Sequence, residues 1–295
     1  MASYTLLYNR AIKSLGRLTG TDGTAAKHEN KEARMRFGIL PLGKAWLALC
    51  LLLPTPSMAQ SDFGLWADAA VEKKINKKWS VDAGAEWRSR DDLGKTDRWS
   101  FGISGEYKPI KGLKLGAGYD LLVDNNERIS YHDDPNEAGQ ANYGQPNKRA
   151  EFWGTRHRFH FDATGSMKLG RWSLSLRERW QYTYRPEKTV NERYDYDDDE
   201  MDGKPKTYRG KGKNVLRSRL QVEYDIKGLP VEPYANAEMY NAWNVEKTRY
   251  TVGADWKITK KHIVGLCYRF QKVYNNDDDF EPDRHIIGLS YKFKF

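Results

Sequence analysis

The sequence predicts an all-β chain: a transmembrane, antiparallel, up-and-down β-barrel of ten to twelve strands that follows a cleaved N-terminal signal peptide. Three observations carry this. Residues 285–295 alternate strictly, with Ile287, Leu289, Tyr291, Phe293 and Phe295 on one face and Ile286, Gly288, Ser290, Lys292 and Lys294 on the other, the period of a strand with one apolar side. An apolar segment near the N-terminus has the make-up of an export signal. Alternating stretches between them are joined by connections that are short and long in turn, as in barrels with tight periplasmic turns and long external loops.

From Met35, Arg36 and Lys44 precede an apolar core of nine residues, 45–53, inside the signal-peptide range and too short to span a bilayer. Ser57-Met58-Ala59 is a small-x-small cleavage site, so the predicted cut lies between Ala59 and Gln60. A short buried helix is the alternative, opposed by Pro54 and Pro56 and by the lack of an amphipathic period. Residues 1–34 read as an over-long extension with Met35 as initiator; an extension tolerated by export is the other possibility. The expected organisation is thus 1–34 extension, 35–59 signal peptide and 60–295 barrel domain. Cys50 follows Leu49, which is not small, so no lipid anchor is expected. Cys267 is then the single mature cysteine and forms no internal disulfide.

The formal net charge of +9 overstates the basic character. Beyond residue 59 there are 41 basic and 37 acidic groups, a net of +4, and no zinc-finger cysteines, phosphate loop or Lys/Arg run. No nucleic-acid partner is expected. A mean hydropathy of −0.82 excludes a helical membrane bundle. It leaves a barrel open, because half of each barrel strand faces the lumen and can be polar. Ten Trp and eighteen Tyr suit aromatic girdles at two membrane interfaces.

In chain order, residues 63–75 carry Phe63, Leu65, Ala67, Ala69 and Val71 on one face, and 76–78 turn the chain. Residues 79–90 set Trp79, Val81, Ala83, Ala85 and Trp87 against Ser80, Asp82, Gly84, Glu86 and Arg88; 91–97 is a polar loop. Residues 98–108 and 113–124 alternate likewise around a turn at 109–112, and a long polar loop is expected over 125–152. Residues 153–167 and 172–185 pair across 168–171. Glu178 interrupts the apolar face of the second, predicting a bulge or register shift. A second long loop covers 186–213. Residues 214–226, a weaker strand at 231–243, then 247–258 and 262–272 lead through an acidic loop at 275–282 to the last strand. That makes eleven stretches. Single-chain bacterial barrels have even numbers, so ten or twelve strands are expected, twelve preferred; a true eleven would leave the start of 63–75 outside.

Phe63-Gly64-Leu65-Trp66, Trp79-Ser80-Val81, Glu86-Trp87-Arg88-Ser89-Arg90 and the Gly-Leu-Ser-Tyr-Lys-Phe-Lys-Phe end resemble the domain of unknown function 2490 family. The resemblance spans about 62–295. It implies an outer-membrane β-barrel of a Gram-negative bacterium and carries over no functional residues. The outward row Leu289, Tyr291, Phe293 and Phe295 resembles the signal read by the barrel-assembly machinery.

The charged residues expected to line the lumen are Arg88, Arg156, Arg158, Arg177, Arg179, Arg217, Arg219 and Arg269, with Glu86, Glu106, Asp120, Asp162, Glu223 and Asp255. They would form either a solute-selecting pore or an interior packed with Arg–carboxylate pairs, since a ten- to twelve-strand lumen is narrow. His157 and His160 lie three apart and face opposite ways, so they cannot share a metal. His160 and Asp162 share a face, and Ser173 or Ser175 could approach, which is the bare composition of a hydrolytic triad; no lipase-like motif surrounds them, and no catalytic residue is assigned. Asp198, Glu200, Asp202 and Gly203 imitate the start of a calcium loop, but its twelfth position is Arg209. These residues and Asp277, Asp278 and Asp279 read as solvated loops able to bridge lipopolysaccharide through divalent ions. No metal site and no cofactor are expected. The function expected is a small passive channel or a structural surface protein, with membrane lipid and lipopolysaccharide as partners. A lipid-modifying hydrolase and a soluble periplasmic barrel holding an apolar ligand are the alternatives.

Overall fold

The computed structural model describes residues 61–134, 136, 139–274 and 281–295. The N-terminal extension, the signal segment, Ala59, Gln60, Cys50 and the 277–279 run lie outside the described residues. The wall begins with β1 (Ser61–Lys74), β2 (Trp79–Arg90), β3 (Lys95–Tyr107), β4 (Leu113–Tyr131), β5 (Pro146–Leu169) and β6 (Trp172–Arg185). Four short strands follow: β7 (Lys188–Val190), β8 (Arg193–Asp195), β9 (Glu200–Asp202) and β10 (Lys206–Tyr208). The wall resumes with β11 (Lys211–Tyr224), β12 (Val231–Ala242), β13 (Asn244–Lys257), β14 (His262–Val273) and β15 (Asp283–Lys294).

Each wall strand pairs antiparallel with its neighbour in the chain, and β1 pairs with β15 to close the ring. The wall has eleven strands, so the even number expected from the sequence does not hold. An odd count leaves the first and last strands running the same way, and closure is therefore parallel, from Ser61↔Asp283 to Glu72↔Lys294. Among the described residues the eleven-strand wall has no open edge, as a structure surrounded by lipid requires. Ser61 consequently starts at the long-loop end, while Phe295 finishes at the short-turn end, its amide donating to the Glu72 carbonyl at 3.0 Å.

The short turns have local causes. The Asn76 carboxamide oxygen accepts from the amides of Lys78 and Trp79 at 2.8 and 2.9 Å, tightening the β1–β2 turn. Gly112 has φ +86°, and a Cβ there would lie 2.7 Å from the Ser166 carbonyl oxygen, so a side chain is excluded twice over.

Four expectations about the elements change. The stretch expected as a loop over 125–152 is largely a hairpin: β4 and β5 stay paired to Tyr131↔Pro146, and only 132–145 connect them. Its residues pair Glu127 with Glu151 and Arg128 with Ala150, polar on both sides because they rise beyond the apolar belt, so alternation cannot reveal them. The loop over 91–97 shrinks to 91–94, with three left-handed residues, Asp91, Asp92 and Leu93. The loop over 186–213 contains β7 to β10. Glu178 causes no bulge: β6 runs in unbroken register with β5 and β11. Glu178 faces outward, its carboxylate accepting from the Ser218 hydroxyl at 2.6 Å.

Apolar side chains cover the outer face of the wall. Ile103, Phe161 and Leu266 each leave more than half their surface exposed, which a water-soluble barrel would avoid over so wide a belt. Aromatic pairs border it. At the short-turn end Trp79 meets Tyr107 and Trp172 meets Tyr224, with ring centres 4.5 and 4.7 Å apart; at the other end Trp87 meets Trp99 at 6.4 Å. From Trp79 to Trp87 the strand rises roughly 27 Å at about 3.4 Å per residue, which at a tilt of about 35–45° spans roughly 19–22 Å, most of a ~25 Å apolar band.

Candidate functional site

Alternate residues of each wall strand face the barrel axis, and strand register keeps them in rows. Arg88 lies beside Trp66 on one side and Arg98 on the other, and Arg98 beside Asp124. Glu86 lies beside Asp68, Glu106 beside Ser80, Asp120 beside Arg158, Arg179 beside Arg217, and Arg177 beside Arg219. Arg156 pairs with Leu122, Asp162 with Arg179, Glu223 with Tyr234, Asp255 with Glu232, and Arg269 with Ile286. These fourteen positions thus share the axis-facing rows, but they occupy different heights.

The middle of the lumen is packed. Trp66 is buried, and three guanidinium groups surround its ring: Arg88 at 3.8 Å, Arg269 at 4.8 Å and Arg249 at 4.9 Å from its centre. The Tyr240 ring takes Arg217 at 4.6 Å and Arg249 at 4.7 Å. Its hydroxyl donates to the Glu238 carboxylate at 2.9 Å and accepts from Arg249. Glu238 also accepts from Arg177 at 2.7 Å and from Arg217 at 3.0 and 3.1 Å. Leu122, Gln271 and Ile286, contributed from different sectors of the wall, are at most 1% exposed. An axis-facing side chain with no accessible surface has no water column beside it.

The short-turn half carries ion pairs of both signs. Asp82 and Glu72 face Lys292 at 3.7 and 3.5 Å, and Glu106 takes Lys108 at 3.1 Å and Lys114 at 3.5 Å. Arg179 donates to both oxygens of Asp162, the longer bond 3.0 Å. His160 sits between Asp120 at 3.5 Å and Asp162 at 3.7 Å. Ser173 and Ser175 do not approach it: they pair with Lys168 and Ser166, whereas His160 pairs with Gln181. His157 faces outward and bonds Tyr119 at 2.7 Å.

The long-loop half holds an open cavity of about 510 Å³ lined by twelve Lys/Arg and five Asp/Glu. Of the residues expected in the lumen, only Arg88, Arg156, Arg158 and Arg217 reach it. Arg98, Lys247 and Arg249 were not among them, nor were Trp66, Tyr240 and Glu238 below. Each has the parity of its strand's polar face, and that parity was the signal available. Above the rim, Lys148 bonds Asp195 at 2.8 Å and also Asp202, tying β5 to the β8–β9 hairpin. The Lys148 hydrogen bond holds both carboxylates below the ordinary aspartate range, and the two carboxylates in turn raise Lys148. Asp202 is thereby committed to Lys148 and to Arg193 at 3.5 Å. Among the described residues no cluster of acidic, His and Cys side chains is arranged to hold a metal.

Residues 63–281 match the family described as "Protein of unknown function (DUF2490)". The chain belongs to this family. No curated protein matches it. Among solved structures, the β domain of the Bordetella autotransporter Brka is similar at 13% identity and a TM-score of 0.47, over 75% of this chain and 86% of that one. The translocator domain of the autotransporter NalP from Neisseria meningitidis is similar at 9% and 0.42, over 72% and 73%. The CymD monoaromatic hydrocarbon channel is similar at 11% and 0.34, over 72% and 85%. For this DUF2490 chain the outer-membrane-type barrel rests on the closed strand register and the exposed apolar belt.

Proposed function

We propose that this DUF2490 protein is an integral outer-membrane barrel that faces the cell exterior with its long-loop end and whose lumen is sealed at mid-height. It is then a structural surface protein and not an open passive channel. The observation that carries this reading is the burial of the axis-facing side chains Trp66, Tyr240, Leu122, Gln271 and Ile286, three of them joined through Arg249, which lies over the Trp66 and Tyr240 rings and donates to Gln271. The exposed apolar belt and its aromatic borders support placement in lipid. A soluble barrel with an apolar ligand would need the reverse arrangement, large apolar groups inside and polar groups outside. Lipid and lipopolysaccharide are the partners of the belt and of the charged outer hairpins. The barrel-assembly machinery acts on the outward row of β15 during insertion.

The test has two steps. Expressed cells are fractionated, and the outer-membrane fraction is run on gels with and without boiling; heat-modifiable migration in that fraction is expected. The purified barrel is then added to a planar bilayer, where no steady conductance is expected. Frequent openings by the wild-type protein would restore the channel reading, and recovery in the soluble periplasm would remove the membrane reading altogether.

A further inference from the structure

Most cations around the long-loop cavity have a carboxylate partner, Arg88 with Glu86 at 2.7 Å, Lys247 with Glu281 at 2.6 Å and Arg284 with Asp62 at 2.6 Å, and two carboxylates are shared. Asp124 serves both Arg98 and Arg156, the latter at 2.8 Å. Glu238 serves Arg177 and Arg217 and stands 4.0 Å from Arg249. Arg158 has the least compensation. Its Nε donates to the Thr183 hydroxyl at 3.3 Å, and among the described residues no carboxylate lies within ion-pair distance of it. Its charged neighbours are mostly of its own sign, Arg98, Arg217 and Arg88 against Asp120. Crowded like charges in a partly enclosed, low-dielectric space are destabilising unless an anion joins them. The Arg158 charge therefore does little for folding and is suited to binding.

We infer that this cavity binds a small, multiply charged oxyanion, a phosphate- or carboxylate-bearing solute entering from the long-loop side, with Arg158 as its central contact. Guanidinium groups are planar donors matched to phosphate and carboxylate oxygens. The volume lies within the range of small-molecule sites and exceeds what a single inorganic phosphate needs. The same chemistry could come from lipopolysaccharide phosphates, but those lie outside the wall, whereas the cavity opens inside the ring of eleven strands. The ligand is accordingly a free solute. This inference rests on the barrel fold but not on the sealed lumen, since a conducting barrel could hold the same anion.

The refolded full-length barrel in zwitterionic detergent is titrated calorimetrically with inorganic pyrophosphate, and separately with micelles containing lipid A. Saturable pyrophosphate binding at one per barrel is expected, with affinity falling as salt rises, and no saturable heat with lipid A. Arg158→Gln should weaken pyrophosphate binding about tenfold or more, the loss of one charge-assisted contact. The same variant should melt no lower than the wild type, because it removes repulsion. Lys260→Gln, in the short turn between β13 and β14, should bind as the wild type does. Absence of saturable binding overturns the inference, as does unchanged affinity in Arg158→Gln. A marked loss of melting temperature in that variant would reassign Arg158 to packing, and saturable binding of lipid A alone would move the site to the lipid.

Discussion

Replacing Asp124 by Asn tests whether buried charge holds the barrel interior together. The Asp124 side chain is 4% exposed, and it accepts from Arg98 and from Arg156, whose side chains are 14% and 23% exposed. Asn keeps the shape and one acceptor oxygen but removes the charge. Two guanidinium groups then lose the carboxylate they share. Breaking a buried pair costs about 3–5 kcal/mol, most of it the penalty of the uncompensated partner. Arg156 borders the open cavity and can be hydrated there, which favours the lower end, about 3 kcal/mol. The assay is equilibrium urea unfolding of the refolded protein in detergent, followed by tryptophan fluorescence. D124N should lower the midpoint without changing the slope, and D124N combined with R98Q should recover part of the loss through the coupling term. A change below about 1 kcal/mol would mean that water already screens the cluster, and the account of a tightly packed interior would fail with it.

Three further outcomes are expected. A cysteine at Ser61 should react with a membrane-impermeant maleimide on intact cells while one at Asn76 should not, because the parallel β1–β15 pair puts the start of β1 at the long-loop end; labelling at Ser61 only after lysis would refute the outward placement of that end. Glu178→Gln should stabilise the barrel by about 1 kcal/mol in lipid, since a carboxylate on the outer face is unfavourable near mid-bilayer; urea unfolding in vesicles reads this, and a destabilised variant would show that Glu178 is not lipid-facing. The outer hairpin tied by Lys148, Asp195 and Asp202 should loosen in acid. The Lys148 hydrogen bond holds both carboxylates below the ordinary aspartate range, so their contribution is full above about pH 4 and is lost as pH falls through the lower folded values. Hydrogen exchange of 193–202 should accelerate below that window, and protection unchanged at pH 2 would sink the assignment.

The belt was legible in the sequence because lipid enforces alternation: Trp79 through Trp87 and Ile287 through Phe295 read as strands from period two alone. Where the wall rises above lipid, that constraint lapses. Residues 125–131 and 146–152 carry polar groups on both sides, so the paired hairpin was indistinguishable from a loop. Glu178 misled for the opposite reason. A polar residue on an apolar row suggested a register slip, but Ser218 on the neighbouring strand satisfies it, and cross-strand partners cannot be read along one strand. The same limit applies to the lumen. Parity marks Arg88 and Arg158 as axis-facing, yet their height, and the way Trp66 seals the level below, depend on strand stagger around the ring.

That stagger gives the interior its polarity. Glu72, Asp82 and Glu106 face the short-turn end, and the Arg98, Arg158 and Lys247 side of the lumen faces the long loops. Toward the short turns, interleaved pairs of opposite sign meet the demand of packing, Glu72 with Lys292, Glu106 with Lys108 and Asp162 with Arg179. Between the two halves, the Glu238 carboxylate draws Arg177 and Arg217 toward the buried Tyr240, while the Arg158 Nε above donates to the Thr183 hydroxyl. On the proposed reading, one layer closes the lumen and also forms the floor of the basic cavity. Substituting Trp66 should therefore disturb both the seal and anion binding, whereas substituting Arg158 should disturb binding alone. Conductance and calorimetry on these two variants separate the roles: a Trp66→Gly barrel that stays sealed and binds pyrophosphate normally would show that the floor lies elsewhere.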